Sequence, residues 1–169
     1  MSASPAGPAG AADPSGPPCH DPIRPSSDSG FLEAASRIIF MGGLNRQVVD
    51  NKWAAFREVF HAFDPARVAA MTPSDIERLM GDARIIRNQK RLEAVVTNAD
   101  TVAALARDHG SFGAWLDGLY ASTGVDGAAK ELAARFAYIS DAGARNWLYA
   151  TGYDVGTVTD KQRKKYAPA

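Results

Sequence analysis

From residue 31 onward, apolar side chains recur every three or four positions. Val49, Trp53, Phe56, Phe60 and Phe63 follow one another at spacings of 4, 3, 4 and 3, which puts all five on one core-facing stripe of a helix. Asp64-Pro65 then opens a short helix, with Asp64 as cap and Pro65 in the first turn. Thr72-Pro73-Ser74-Asp75 repeats the device with Asp75 at the capping-box position, and Gly81 follows the helix it starts. A long helix is predicted over 88–107, with Leu92, Val95, Ala99, Val102 and Leu105 on one face. Two more are expected near 112–120 and 127–135, then a tight turn near 136–141 and a last helix near 142–151. Neither an alternating strand pattern nor a repeat of fixed period is visible. The predicted class is all-α.

The pattern fails before residue 31. Seven of the ten prolines fall within residues 1–25, among Gly, Ala and Ser, a composition with too little apolar side chain to offset its ordering entropy. Residues 1–30 are therefore expected to be a disordered tail, 31–155 the folded domain, and 156–169 a basic C-terminal tail. The chain has 169 residues, 46% hydrophobic and 22% charged, which suits one small domain and a monomer. Its start has neither the basic-then-apolar order of a secretory signal nor an Arg-rich transit pattern, so the cytoplasm is the expected location. No run approaches the roughly 20 apolar residues of a membrane span. The single cysteine, Cys19, excludes an internal disulfide and a zinc site built on cysteines alone. The formal net charge is zero, but 18 of the 19 Lys and Arg lie after residue 30 against 16 of the 19 Asp and Glu. The excess gathers in Lys161, Arg163, Lys164 and Lys165, which permits nucleic-acid binding without demanding it.

Several blocks carry a resemblance. FDPARVAAM (63–71), DIERLM (75–80), IIRN (85–88), Glu93 with Asn98-Ala99 in the next helix, and HGSF (109–112) together resemble the type I 3-methyladenine DNA glycosylase family, over about residues 31–155. The resemblance implies a helix-hairpin-helix DNA glycosylase-like bundle, duplex DNA with a damaged base as partner, and no cofactor. Gly43 and Leu44 match the turn from which that family wedges an apolar side chain into the base stack. An apolar plug there would fill the gap left by an extruded nucleotide, while the plain alternative is a helix–helix turn with Leu44 as a core anchor.

The chain departs from the family at its pocket. Arg46 occupies the position of the tryptophan that stacks on the extruded base, and Ile38 the position of a carboxylate in the better-known members. A guanidinium can stack on a base, but its charge opposes a cationic alkylated purine. The family's zinc clip draws on Cys and His at both chain ends. Here Cys19-His20 lack C-terminal partners, while His61 and His109 read as structural or solvated, so no metal site is expected. At the hairpin, 135–141, Phe136, Ser140 and Asp141 stand where small residues usually let backbone N–H groups approach a phosphate. Ser140 is a candidate DNA contact, against which stands the favoured reading that Ser140 or Asp141 caps the next helix. Arg145, Lys161 and Lys164 are candidate phosphate contacts. Asp160 matches the position of a catalytic aspartate in other branches of the superfamily, with helix capping as the alternative. Two functions follow as expectations: hydrolysis of the N-glycosidic bond of alkylated adenine in base excision repair, or a divergent protein without that activity. The second would sense damage, bind DNA, or hold a small molecule in specialised metabolism.

Overall fold

The computed structural model describes residues 24–166, and every regular element among them is a helix or helical turn. The tail expected over 1–30 lies largely outside the described residues, as do Cys19 and His20. Its last part belongs to the domain. Helix α1 (Asp28–Met41) starts ahead of the expected boundary at 31, because Ser27 caps it by accepting the Gly30 N–H at 3.2 Å. Asp28 in turn accepts the Phe112 N–H at 2.8 Å, tying the start of α1 to the start of α6 (Phe112–Arg135).

Helix α2 (Arg46–Val59) is shorter than its apolar stripe. Phe60 and Phe63 reach the core through a left-handed turn in which His61, Ala62 and Phe63 have φ of 53°, 55° and 59°. Pro65 accounts for the extended backbone of Asp64 (φ −62°, ψ 116°), so the chain past the turn does not return to the helix before α3 begins. His61 thus sits in a strained turn, not in the helix the periodicity suggested. Asp64 and Thr72 cap α3 (Pro65–Ala69) and α4 (Pro73–Met80), the second with the full capping box to Asp75. Helix α5 (Gln89–His109) buries Leu92, Val95, Ala99, Val102 and Leu105 as the sequence predicts. The two helices expected near 112–120 and 127–135 are joined as α6, interrupted only at Gly124, whose φ of 68° favours glycine. Helix α7 (Asp141–Ala150) follows the hairpin, and the residues expected as a tail form α8 (Asp160–Tyr166), which packs beside α7.

Helix α1 bridges two aromatic clusters. Its C-terminal half meets α2, where Phe40 and Phe56 lie 4.5 Å apart and Trp53 stacks on Phe63 at 5.4 Å. At its N-terminal half, Phe31 joins Phe112, Phe136 and Trp147, and the buried Trp147 indole N–H donates to the Phe31 carbonyl at 3.1 Å. None of the described helices is long and apolar enough to cross a membrane.

The chain entering α1 is held by charge. Arg24 forks onto Asp117 through two contacts of 2.6 Å, and the Tyr153 hydroxyl donates to the same carboxylate at 2.7 Å. The Arg24 hydrogen bond, aided by that from Tyr153, holds the Asp117 carboxyl below its ordinary value. Burial, then Asp117, pushes the Tyr153 phenol up. With the folded pKa depressed, the Asp117 contribution is present above the ordinary carboxylate range near about pH 4 and is lost as pH falls through the lowered value. Asp117→Asn should therefore flatten the fall in Tm on acidification below about pH 4. An acid limb identical to wild type in a pH series of thermal melts would disprove this.

Candidate functional site

The turn between α1 and α2 is built for a sharp reversal. Gly42 ends α1, Gly43 takes φ +78°, and the Leu44 N–H donates back to the Met41 carbonyl at 3.1 Å. Only Gly43 requires glycine, since a side chain there would be strained even though nothing lies within 4 Å of it. Asn45 then caps α2, accepting the Val48 N–H at 2.9 Å. Behind the turn, Arg91 directs its guanidinium at the C-terminal end of α1, 3.5 Å from the Phe40 carbonyl, where helix carbonyls favour a cation.

Leu44 is half-buried: it packs on the edge of the core and also lines a cleft. That cleft, about 700 Å³, is lined by Gly43, Leu44, Asn45 and Arg46 on one side and Lys161, Lys164 and Lys165 on the other. Six of the residues singled out from the sequence, namely Gly43, Leu44, Arg46, Lys161, Lys164 and Lys165, thus converge on one opening. Among the described residues, no carboxylate lines it.

Arg46 lines the cleft with its guanidinium already engaged. Its side chain is 19% exposed, Nε donates to Asp50 at 3.2 Å, and a terminal nitrogen donates to the Lys164 carbonyl at 3.0 Å. Asp50 also pairs with Arg37, whose guanidinium lies 4.8 Å from the centre of the Trp53 ring. Ile38 is 9% exposed and belongs to the core, so hydrocarbon fills the position of the missing carboxylate. A side chain at Gly143 would meet Ile38 at 3.5 Å, which puts Ile38 beneath the start of α7.

Ser140, Arg145 and Asp160 are not among the cleft-lining residues. Ser140 caps α7, its hydroxyl accepting the Gly143 N–H at 3.0 Å. Arg145 pairs with Asp141 at 2.9 Å and Asp126 at 2.7 Å, so its charge and that of Asp141 are mutually compensated. Asp160 is exposed in the first turn of α8, and the capping role falls to Thr159, which exchanges hydrogen bonds of 3.2 and 3.0 Å with Gln162. The hairpin is clamped from below. Buried Asn98 accepts the Ala137 N–H at 2.7 Å and donates to the Ala137 carbonyl at 3.0 Å, beside exposed Tyr138 at φ +60°. Among the described residues, no three His, Cys, Asp or Glu side chains gather to hold a metal ion.

Asp50 and Arg37 escaped the sequence reading. The i,i+4 spacing of Arg46 and Asp50 offered a signal for the first. Arg37 approaches from another helix, and nothing local marks it.

Comparison with known proteins fits this architecture. A family model described as methyladenine glycosylase matches residues 28–144. The DNA-3-methyladenine glycosylase of Haemophilus influenzae is 40% identical over 65 residues, which are 38% of this chain and 35% of that protein. DNA-3-methyladenine glycosylase 1 of Escherichia coli K12 is 46% identical over 57 residues, 34% of this chain and 30% of that protein. The chain thus matches 35% and 30% of the length of these two curated relatives. The structure of 3-methyladenine DNA glycosylase I from Staphylococcus aureus, described for its recognition of 3-methyladenine, superposes with a TM-score of 0.70 at 25% identity, covering 79% of this chain and 81% of that one. A family match over most of the folded region, on an all-helical frame shared with a solved member, makes this chain a member of the methyladenine glycosylase family.

Proposed function

We propose that this protein is a DNA glycosylase that removes alkylated adenine of the 3-methyladenine type from duplex DNA in base excision repair, acting as a monomer, without a metal, where the DNA lies in the cytoplasm. The observation that carries the reading is the convergence of the Gly43–Leu44 turn with three lysines on one cleft. That combination suits a strand held by its phosphates beside an extruded nucleotide. The chemistry asks little of the protein. A cationic alkylated base leaves with the electron pair of the N-glycosidic bond and becomes neutral, and water adds to the sugar carbon and releases a proton. Extrusion and shape carry much of the task when the leaving group is already activated.

Two observations favour a second reading. Ile38 is apolar and buried, and Arg46 is bonded to protein. These suit a family member that binds damaged DNA without cleaving it. The deciding experiment measures base release from heavily methylated DNA beside binding to an abasic duplex. Release above the spontaneous rate is expected, and Asp160→Asn should abolish it if that carboxylate stabilises the sugar cation. Tight abasic binding with no release selects the second reading, and neither release nor binding ends both.

A further inference from the structure

We propose that Arg46 is a positioning residue that docks the basic helix α8 against the Gly42–Leu44 turn, so that Lys161, Lys164 and Lys165 form a site for backbone phosphates of the DNA strand beside that turn. The proposal rests on the DNA reading above and adds a grip that the hairpin, with Ser140 capping and Arg145 paired, does not supply.

The contacts form a continuous chain. Trp53 donates its indole N–H to Glu33 of α1 at 2.8 Å and carries Arg37 over its ring. Arg37 pairs with Asp50, Asp50 with Arg46, and Arg46 donates to the Lys164 carbonyl at 3.0 Å. The last link joins α2 to the final turn of α8, where unpaired helix carbonyls carry partial negative charge and attract a guanidinium. Helix α8 has 7 residues, too few to persist on its own in water. Its place is therefore set by what holds it: Arg46, the packing beside α7 and that of Tyr166 on the edge of the core, while the Thr159–Gln162 cap closes its first turn.

The result is a charge arrangement with one chemical reading. Asp50 is shared by Arg37 and Arg46, so the three lysines add to a net positive charge already there, around an opening of about 700 Å³ that no carboxylate of the described residues lines. Mobile point charges of this kind suit phosphodiesters and carry no base identity. A cationic purine would be repelled there, so this opening serves the strand rather than the damaged base.

The test uses the full 169-residue chain with undamaged and abasic duplexes, binding being followed by fluorescence anisotropy across a salt series. Each phosphate contact contributes about 0.9 to the slope of log affinity against log salt. The triple variant Lys161→Gln, Lys164→Gln, Lys165→Gln should lower the slope by up to about 2.7. Arg46→Ala should lower it by more than the about 0.9 that one lost cation explains, and should speed tryptic cleavage within α8 severalfold. Arg46→Lys, which keeps a donor for the carbonyl, should recover part of both. A slope change no larger than one contact together with an unaltered cleavage rate in Arg46→Ala overturns the positioning role. An unchanged slope in the triple variant, or a wild-type protein that binds no duplex, overturns the phosphate site. Base release assayed in parallel keeps the two questions apart. Release with unchanged slopes defeats only this inference, and altered slopes without release defeat only the glycosylase.

Discussion

Truncating Phe56 to alanine should lower the unfolding free energy by about 3–5 kcal/mol. Phe56 is fully buried, with its ring 4.5 Å from Phe40, 5.1 Å from Trp53 and 6.4 Å from Phe60. Removing it opens a cavity walled by aromatic rings, which cannot collapse as flexible side chains do, so the cost belongs toward the upper end of that range. The cavity would also loosen the seam between α1 and α2, the two helices that hold the Gly42–Leu44 turn between them. Chemical denaturation of the wild type and the variant measures the loss directly. If stability held and only DNA affinity fell, Phe56 would be a base-stacking residue and the core reading of this stripe would be wrong.

How much of this was legible in the sequence depends on whether the signal was local. Capping is local: Asp64-Pro65 and Thr72 with Asp75 announced α3 and α4, and both caps form as expected. Periodicity is local too, and it placed Trp53, Phe56 and Phe60 in the core. It failed where side-chain pattern and backbone part company. Phe63 keeps the apolar beat but enters the core from a left-handed turn that precedes Asp64-Pro65. Composition misled at both ends of the domain. Residues 24–30 are held by Arg24, Ser27 and Asp28 despite their loose neighbourhood, and the lysine-rich end becomes α8 because Arg46 and Tyr166 give it somewhere to sit. Within the site, the turn and the lysines could be named one by one, and their meeting could not. Arg46 read alone looked like a misplaced pocket residue. Its bond to a carbonyl 118 positions away is a property of the fold.

Leu44→Ala should slow base release by about tenfold to a hundredfold with little loss of stability. The wedge matters only when a nucleotide has left the stack, and truncation removes three carbons from the plug. At about 0.8 kcal/mol for each buried methylene that is about 2.4 kcal/mol of lost burial, and about 1.4 kcal/mol corresponds to one factor of ten in rate. In the free protein Leu44 is only half-buried at the edge of the core, so the same truncation should cost about 1 kcal/mol of folding free energy, a Tm shift of about 2–4 °C at this size. Leu44→Phe, which restores an apolar plug, should recover most of the rate. Should the protein bind damage without cleaving it, the factor moves to the affinity for an abasic duplex, where the vacant stack still asks to be filled. The outcome that retires the wedge is the reverse pattern: a Tm lowered by many degrees in Leu44→Ala, with the rate of release and the abasic affinity both unchanged. Leu44 would then be the core anchor of a tight helix–helix turn, and the cleft beside it would hold the strand by its phosphates alone.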